Sequence, residues 1–225
     1  MAIQGDRFKE FRHSIHRHGL RRTGTRSFYK LLCRVVQFEW CRVASDEGGY
    51  DWTTAPEGYE TRRVSQQEFN RMLCDELKAV DYDWAFERGD FCIANIQDGE
   101  IVGYSFSSLL PTRVQSGLVF KFPDGFMYGF SANTAAPHRG KKLQRESWKV
   151  RQAERLREHG SVFSAIWYIN ITNLESLASV EHSGVHQTLR GYAGYVRFFG
   201  RWITFASPGC KRLGVGFARN ADSEA

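Results

Sequence analysis

Residues 134–144, Thr-Ala-Ala-Pro-His-Arg-Gly-Lys-Lys-Leu-Gln, set Arg139, Lys141 and Lys142 around Gly140, where a strand-like run gives way to a helical one. The first N–H groups of a helix lack intrahelical partners and sit at the positive end of its dipole. An anion placed there gains several charge-assisted hydrogen bonds. This loop is therefore where a bound phosphate is expected, and Lys141, Lys142 and Arg139 reinforce the charge. Taken alone, the same residues also describe a basic helix start on a solvated face.

A second constellation lies thirty residues on. Val162–Ile169 is strand-like, and Thr172-Asn-Leu-Glu175 has capping-box spacing, which predicts a short helix carrying Leu174, Leu177 and Ala178 and ending at Gly184, with His182 in its last turn. Between the two motifs, Leu143, Ser147, Val150, Ala153 and Leu156 trace a helical face that stops at Gly160.

The elements that would position these motifs can be read in order. Residues 27–43, with Phe28, Leu31, Leu32, Val35, Val36 and Phe38 among basic residues, have the spacing of an amphipathic helix. Residues 45–58 read as a linker. Tyr59–Val64 reads as a strand, and Ser65-Gln-Gln-Glu68 opens a helix bearing Phe69, Met72, Leu73, Leu77 and Val80. Asp98-Gly99 joins residues 91–96 and 101–110 as a hairpin, and Pro123-Asp-Gly125 predicts a second hairpin from 117–122 and 126–134. The helix to His159 should cross over so that 162–169 runs parallel to the strand ending at Thr134. Further strands are expected at 185–189 and 195–205, and residues 210–225 read as a tail.

Length and composition narrow the class. The 225 residues suit one domain with an appendage, and the hydrophobic fraction of 42% is that of a globular chain. No run reaches the roughly 20 apolar residues a spanning helix needs. The five cysteines lack metal-ligand spacing, so no structural zinc is expected and the thiols should be reduced, which points to the cytoplasm. The net charge of +6 is concentrated, with nine Lys/Arg and one acid between Arg7 and Arg34. Such an arm could engage an anionic membrane surface through residues 7–43, leaving the protein cytoplasmic and peripheral at the membrane. Nucleic acid is the weaker alternative.

The two motifs together resemble the GNAT superfamily of coenzyme A-dependent N-acyltransferases. In that family Arg-Gly-x-Gly-x-Gly/Ala follows a strand and opens the helix that holds the coenzyme's pyrophosphate. Arg139 and Gly140 match, whereas Lys142 and Gln144 stand where later glycines are usual. Asn173, Ser176 and Gly184 fit the family's second spacing, with Val185 in place of an aromatic and Val180 where many members carry a tyrosine. The resemblance covers roughly residues 59–205.

It implies an α/β (mixed α+β) fold with a twisted mixed sheet: an antiparallel meander followed by a parallel β-α-β crossover, splayed central strands and helices on both faces. The implied division is a basic arm with helix and linker (1–58), an acyltransferase domain (59–210) and a tail (211–225). The implied function is transfer of an acetyl or other acyl group from acetyl-CoA or another acyl-CoA, as co-substrate, to a small-molecule amine by direct attack, with no metal. Ala132, Asn133, Thr134, Arg139, Gly140, Lys141, Lys142, Leu143, Gln144, Asn173 and Ser176 would hold the coenzyme. Ser131, Tyr128 and Tyr168 are the candidates for contact with the reacting groups, and no general base stands out. The altered glycines also fit a GNAT-like binding module without catalysis. A basic membrane-surface or nucleic-acid-binding protein is a third possibility, and a dimer is compatible with all of these.

Overall fold

A strand with both faces covered carries apolar residues in succession, whereas one with a single covered face alternates. Strand β1 (Gln37–Asp46) does both: Glu39 to Arg42 alternate in exposure, and Val43 to Asp46 are buried throughout. In this computed structural model, which describes residues 24, 28, 37–46, 56–77, 81–160, 163–181, 187–199 and 201–219, β1 lies inside the main sheet.

The remaining strands are β2 (Glu60–Val64), β3 (Phe91–Gln97), β4 (Glu100–Ser108), β5 (Thr112–Gln115), β6 (Leu118–Lys121), β7 (Phe126–Thr134), β8 (Ser164–Asn170), β9 (Gln187–Phe198), β10 (Arg201–Ala206) and β11 (Gly216–Arg219). The helices are α1 (Gln66–Met72), α2 (Asp83–Glu87), α3 (Leu143–His159), α4 (Leu174–Glu181) and α5 (Pro208–Leu213).

Eight strands form one mixed sheet in the order β10-β9-β1-β8-β7-β4-β3-β2, and a second sheet has the order β11-β6-β5. Within the large sheet β7 and β8 pair in parallel and every other neighbouring pair is antiparallel. The expected meander, the β7-α3-β8 crossover and helices on both faces are all present.

One face of β2, β3 and β4 is covered by α1 and α2 through Phe69, Leu73, Tyr82, Tyr104 and Phe106. Farther along that face, Phe120 and Phe217 of the small sheet pack on Tyr128, Ile166 and Tyr195. The opposite face takes α3 and α4, which bring Trp148, Val150 and Val180 against Phe91, Met127, Ala165 and Trp167.

Several sequence expectations change. Residues 37–43 are strand, not the end of an amphipathic helix, because β1 finds partners on both sides and its Cys41 and Val43 are fully buried. A domain starting at 59 would leave out this central strand. Residues 208–219, expected as mostly tail, form α5 and β11, and Phe217 closes the aromatic core. The second hairpin does not form, since β6 pairs with β5 and β11 while β7 pairs with β4 and β8. The strands expected at 185–189 and 195–205 become one long β9 and the shorter β10.

Helix α1 ends at Met72, and Leu73 instead bridges Ile101. Helix α3 faces the sheet differently from its apolar pattern: Leu143 and Ser147 point inward, but Ala153 and Leu156 are exposed, and Arg151, Gln152 and Arg155 are buried. Positions 147, 151 and 155 form one row, and the arginine stems act as apolar cover. The Arg155 guanidinium lies 4.0 Å from the Phe91 ring centre, and Arg151 Nη2 donates to Ser105 Oγ at 2.5 Å. Apart from residues 24 and 28, the basic arm at 7–34 lies outside the described residues, as do His182, Gly184 and Val185.

Candidate active site

Strands β7 and β8 pair only at Phe126↔Ser164, Met127↔Ala165 and Tyr128↔Ile166. Both continue beyond that point, to Thr134 and Asn170, without pairing. A parallel sheet interrupted between two long strands exposes unpaired backbone along the opening, which can be completed by an extended ligand.

Strand β7 also carries a bulge. Its pairing with β4 slips between Tyr104↔Asn133 and Phe106↔Phe130, so Ser131 and Ala132 share the space opposite Ser105. Ser131 takes a left-handed backbone with φ 49°. A bulge leaves one residue outside the ladder and turns its peptide groups away from the regular direction. Ser131, Ala132 and Asn133 are the exposed residues of the strand, at the opening.

The chain then enters the basic loop. Ala135 N donates to Val102 O at 2.9 Å, ending the sheet, and Arg139 Nε donates to Thr134 O at 3.0 Å. Gly140 has φ 79° and Lys142 has φ 61°, ψ 21°. The left-handed backbone at 142 is the conformation a glycine adopts most readily, so the lysine occupies a position with glycine geometry. Lys142 is the residue preceding α3, and no side chain caps that helix. The N–H groups at the start of α3 therefore face the loop with Lys142 beside them.

Three of the sequence-predicted loop residues have partners of their own. Lys141 Nζ donates to Tyr59 Oη at 2.6 Å, and the same hydroxyl lies 2.9 Å from His138 Nδ1. Gln144 Nε2 is shared among Asn133 O at 2.9 Å, Tyr104 O at 3.1 Å and Thr134 Oγ1 at 3.1 Å. The Gln144 side chain thus straps α3 to the bulged strand instead of pointing into the loop. Leu143 is buried, and Asn95 Nδ2 donates to its carbonyl at 3.3 Å.

The second motif caps a helix by a different residue. Asn173 Oδ1 accepts from Ser176 N at 3.1 Å, which makes Asn173 the cap of α4. The Thr172 hydroxyl donates to Asn170 Oδ1 at 2.8 Å, and the cap falls one residue later than the Thr172 position read from the sequence. Val180 packs on the core beneath α4.

Tyr128 and Tyr168 come together, with rings stacked at 5.6 Å and 12°. Tyr128 is buried, and Phe120 lies 4.8 Å from each ring. Burial pushes both phenols above their usual range, and Tyr168 adds to the rise at Tyr128. Ser131 stands apart from them, exposed on the bulge.

Four polar residues on the strands around β7 and β8 escaped the sequence reading. Tyr104, buried on the face of Asn133, has its phenol pushed up by burial and by Tyr82. Glu39, Tyr195 and Gln115 form a polar group on the other side. Tyr195 Oη donates to Glu39 Oε2, and Gln115 Nε2 donates to Tyr195 Oη at 3.0 Å. Glu39 is an inward position of an alternating strand, a signal visible only once 37–43 is read with period two. Among the described residues no group of three or more His, Cys, Asp or Glu could hold a metal ion.

No family model and no curated protein matches the sequence. Among solved structures, the chain is similar to a GNAT-family protein from Novosphingobium aromaticivorans at 11% identity, with a TM-score of 0.48 over 70% of this chain and 62% of that one. It is similar to an acetyltransferase of the GNAT family from Colwellia psychrerythraea at 10% identity, with a TM-score of 0.47 over 79% and 60%. A GCN5-related N-acetyltransferase-like protein from Streptococcus suis is similar at 13% identity, with a TM-score of 0.46 over 78% and 67%. The chain thus spans 62% and 60% of the first two. These likenesses concern the path of the chain alone.

Proposed function

We propose that the protein is an N-acyltransferase that moves an acetyl or other acyl group from acyl-CoA to an amine. The observation that carries this reading is the opening between β7 and β8 past Tyr128↔Ile166, with the Ser131 bulge on one side and the uncapped start of α3 at its end. The residues present fit the co-substrate. An uncapped helix start with Arg139 and Lys142 suits a pyrophosphate, and the unpaired edge of β7 suits the amide groups of pantetheine. A thioester held along that edge would meet the turned peptide groups of 131–133, whose N–H groups can stabilise the oxygen that gains charge as the amine adds.

The chain's own groups do the rest. Gln144 fixes the bulge against α3, and Tyr128 and Tyr168, protonated at neutral pH, are placed to test as donors to the departing sulfur. A thiol of pKa about 8.5 leaves tolerably without help, so such a donor contributes modestly.

Coenzyme A at about 100 times its dissociation constant should stabilise the fold by roughly 2.7 kcal/mol, read as a rise in unfolding temperature. Acetyl-CoA with an amine panel should release free thiol in an amine-dependent manner. No thermal shift at millimolar coenzyme A would sink the reading. Binding without turnover would favour the non-catalytic module, which the lysine and glutamine at 142 and 144 also support.

A further inference from the structure

Among the described residues, the Glu39 carboxylate has no cation beside it. Its partners are the Tyr195 hydroxyl and Asn170 Nδ2, the latter at 3.3 Å. It forms no ion pair among the described residues, and it is only partly exposed. Its charge is felt by its neighbours: after burial, Glu39 is the next cause of the raised Tyr195 phenol and Cys41 thiol, and it adds to the rise at Tyr168. A partly buried carboxylate held by a hydroxyl and an amide has hydrogen bonds but no counter-ion among the described residues, and a ligand ammonium would supply one.

Position strengthens the point. Continuing the β7–β8 register past its last pair, Tyr128↔Ile166, sets Phe130 opposite Tyr168, and the bulge that follows at Ser131 and Ala132 faces the stretch of β8 that ends at Asn170. Asn170, which holds Glu39, thus stands across the opening from the bulge. β1 is the next strand after β8, and Cys41 pairs with Asn170, so Glu39 lies just past the end of that pair on the same face as Cys41.

The geometry points to Glu39, with Tyr195 and Asn170, as the acceptor subsite: it binds a primary ammonium and takes its proton. The chemical step rests on the acyl-transfer reading above. The ammonium gives one proton to the Glu39 carboxylate, and the freed nitrogen lone pair forms a C–N bond to the thioester carbonyl carbon. The C–S bond then breaks with its electron pair on sulfur. The nitrogen sheds its second proton as the amide forms, the thiolate takes up one proton, and Glu39 returns the other to water. The ligand class is a primary amine without a carboxylate next to the nitrogen, because a second negative charge would oppose Glu39.

Calorimetric titration of the full chain with phenethylamine tests this directly, with 2-phenylethanol and phenylalanine as the uncharged and carboxylate-bearing probes. Saturable binding of the amine and not the other two is expected, with Glu39→Gln weakening it at least about tenfold, the scale of a lost charged contact. Glu100→Gln, which removes an exposed carboxylate at the β3–β4 turn, should stay within about threefold of wild type. In the acetyl-CoA assay Glu39→Gln should lower amine-dependent thiol release by ~10²-fold or more with coenzyme A affinity unchanged. Amine binding that is absent from wild type, or equal in Glu39→Gln, overturns the assignment, as does an equal loss in Glu100→Gln, which would mark a general effect of net charge. Unchanged thiol release in Glu39→Gln overturns Glu39 and leaves the acyltransferase reading intact. Charge-dependent amine binding without any thiol release does the reverse. Should Glu39→Gln fail to fold, Glu39→Asp, which withdraws the charge by one methylene, must also weaken the amine.

Discussion

Lys142 carries two roles that pull against each other. Its side chain supplies positive charge at the start of α3, while its backbone sits at φ 61°, where a β-carbon is disfavoured. A left-handed backbone costs an ordinary residue roughly 1–2 kcal/mol. Glycine avoids that but adds ~0.4–1 kcal/mol of chain entropy to the unfolded state. Lys142→Gly should therefore raise stability by up to about 1 kcal/mol, or about 2–4 °C for a chain of this size. The same change should weaken coenzyme A binding and flatten its salt dependence, because a cation is removed. A lower unfolding temperature would contradict the strain assigned to this position.

At the level of elements, the opening is held by the contact of α3 with β4 and β7. Gln144 reaches the carbonyls of Asn133 and Tyr104 from the first turn of the helix, and Ser147 Oγ donates to Asn95 Oδ1 at 3.1 Å one turn later. Arg151 continues the row to Ser105, the residue opposite the bulge. Gln144→Ala removes the strap while leaving the helix backbone and its good propensity in place. A loss of about 1–2 kcal/mol is expected from denaturant titration, since each net hydrogen bond contributes about 1 kcal/mol. Coenzyme A affinity should fall as well, because the bulge and the helix start are no longer held in register. Unchanged affinity in a destabilised variant would mean that the strap serves folding alone.

For the molecule as a whole, β1 joins two halves. It pairs along its length with β9 and, from Cys41 to Ser45, with β8, whose other partner is β7. Without it, β9 and β10 lose their attachment to the sheet, and Cys41 and Val43 leave the aromatic core empty on that side. A chain beginning at residue 47 is expected to lose cooperative unfolding and coenzyme A stabilisation together. A cooperative transition in that chain would show that β8 and β9 can close without β1. Residues 37–43, anchored in this way, are not available as a membrane-surface helix.

What the sequence determined was local. Asp98-Gly99 set the β3–β4 hairpin, Ser65 and Glu68 formed their capping box with Ser65 N donating to Glu68 Oε2 at 2.9 Å, and Gly140 marked a left-handed turn before α3. Each depends on a few neighbouring residues and on backbone conformations that only some residue types adopt. The tertiary structure decided the rest. Residues 37–43 satisfy helical spacing about as well as strand alternation, and only partners 120 to 160 residues away favoured the strand. The same long-range contacts turned Arg151 and Arg155 inward, where an apolar count had put Ala153 and Leu156, because Ser105 and the Phe91 ring were there to receive them. Glu39 became a candidate for the same reason: a carboxylate acquires its chemistry from what surrounds it, and its surroundings come from β8, β9 and β5.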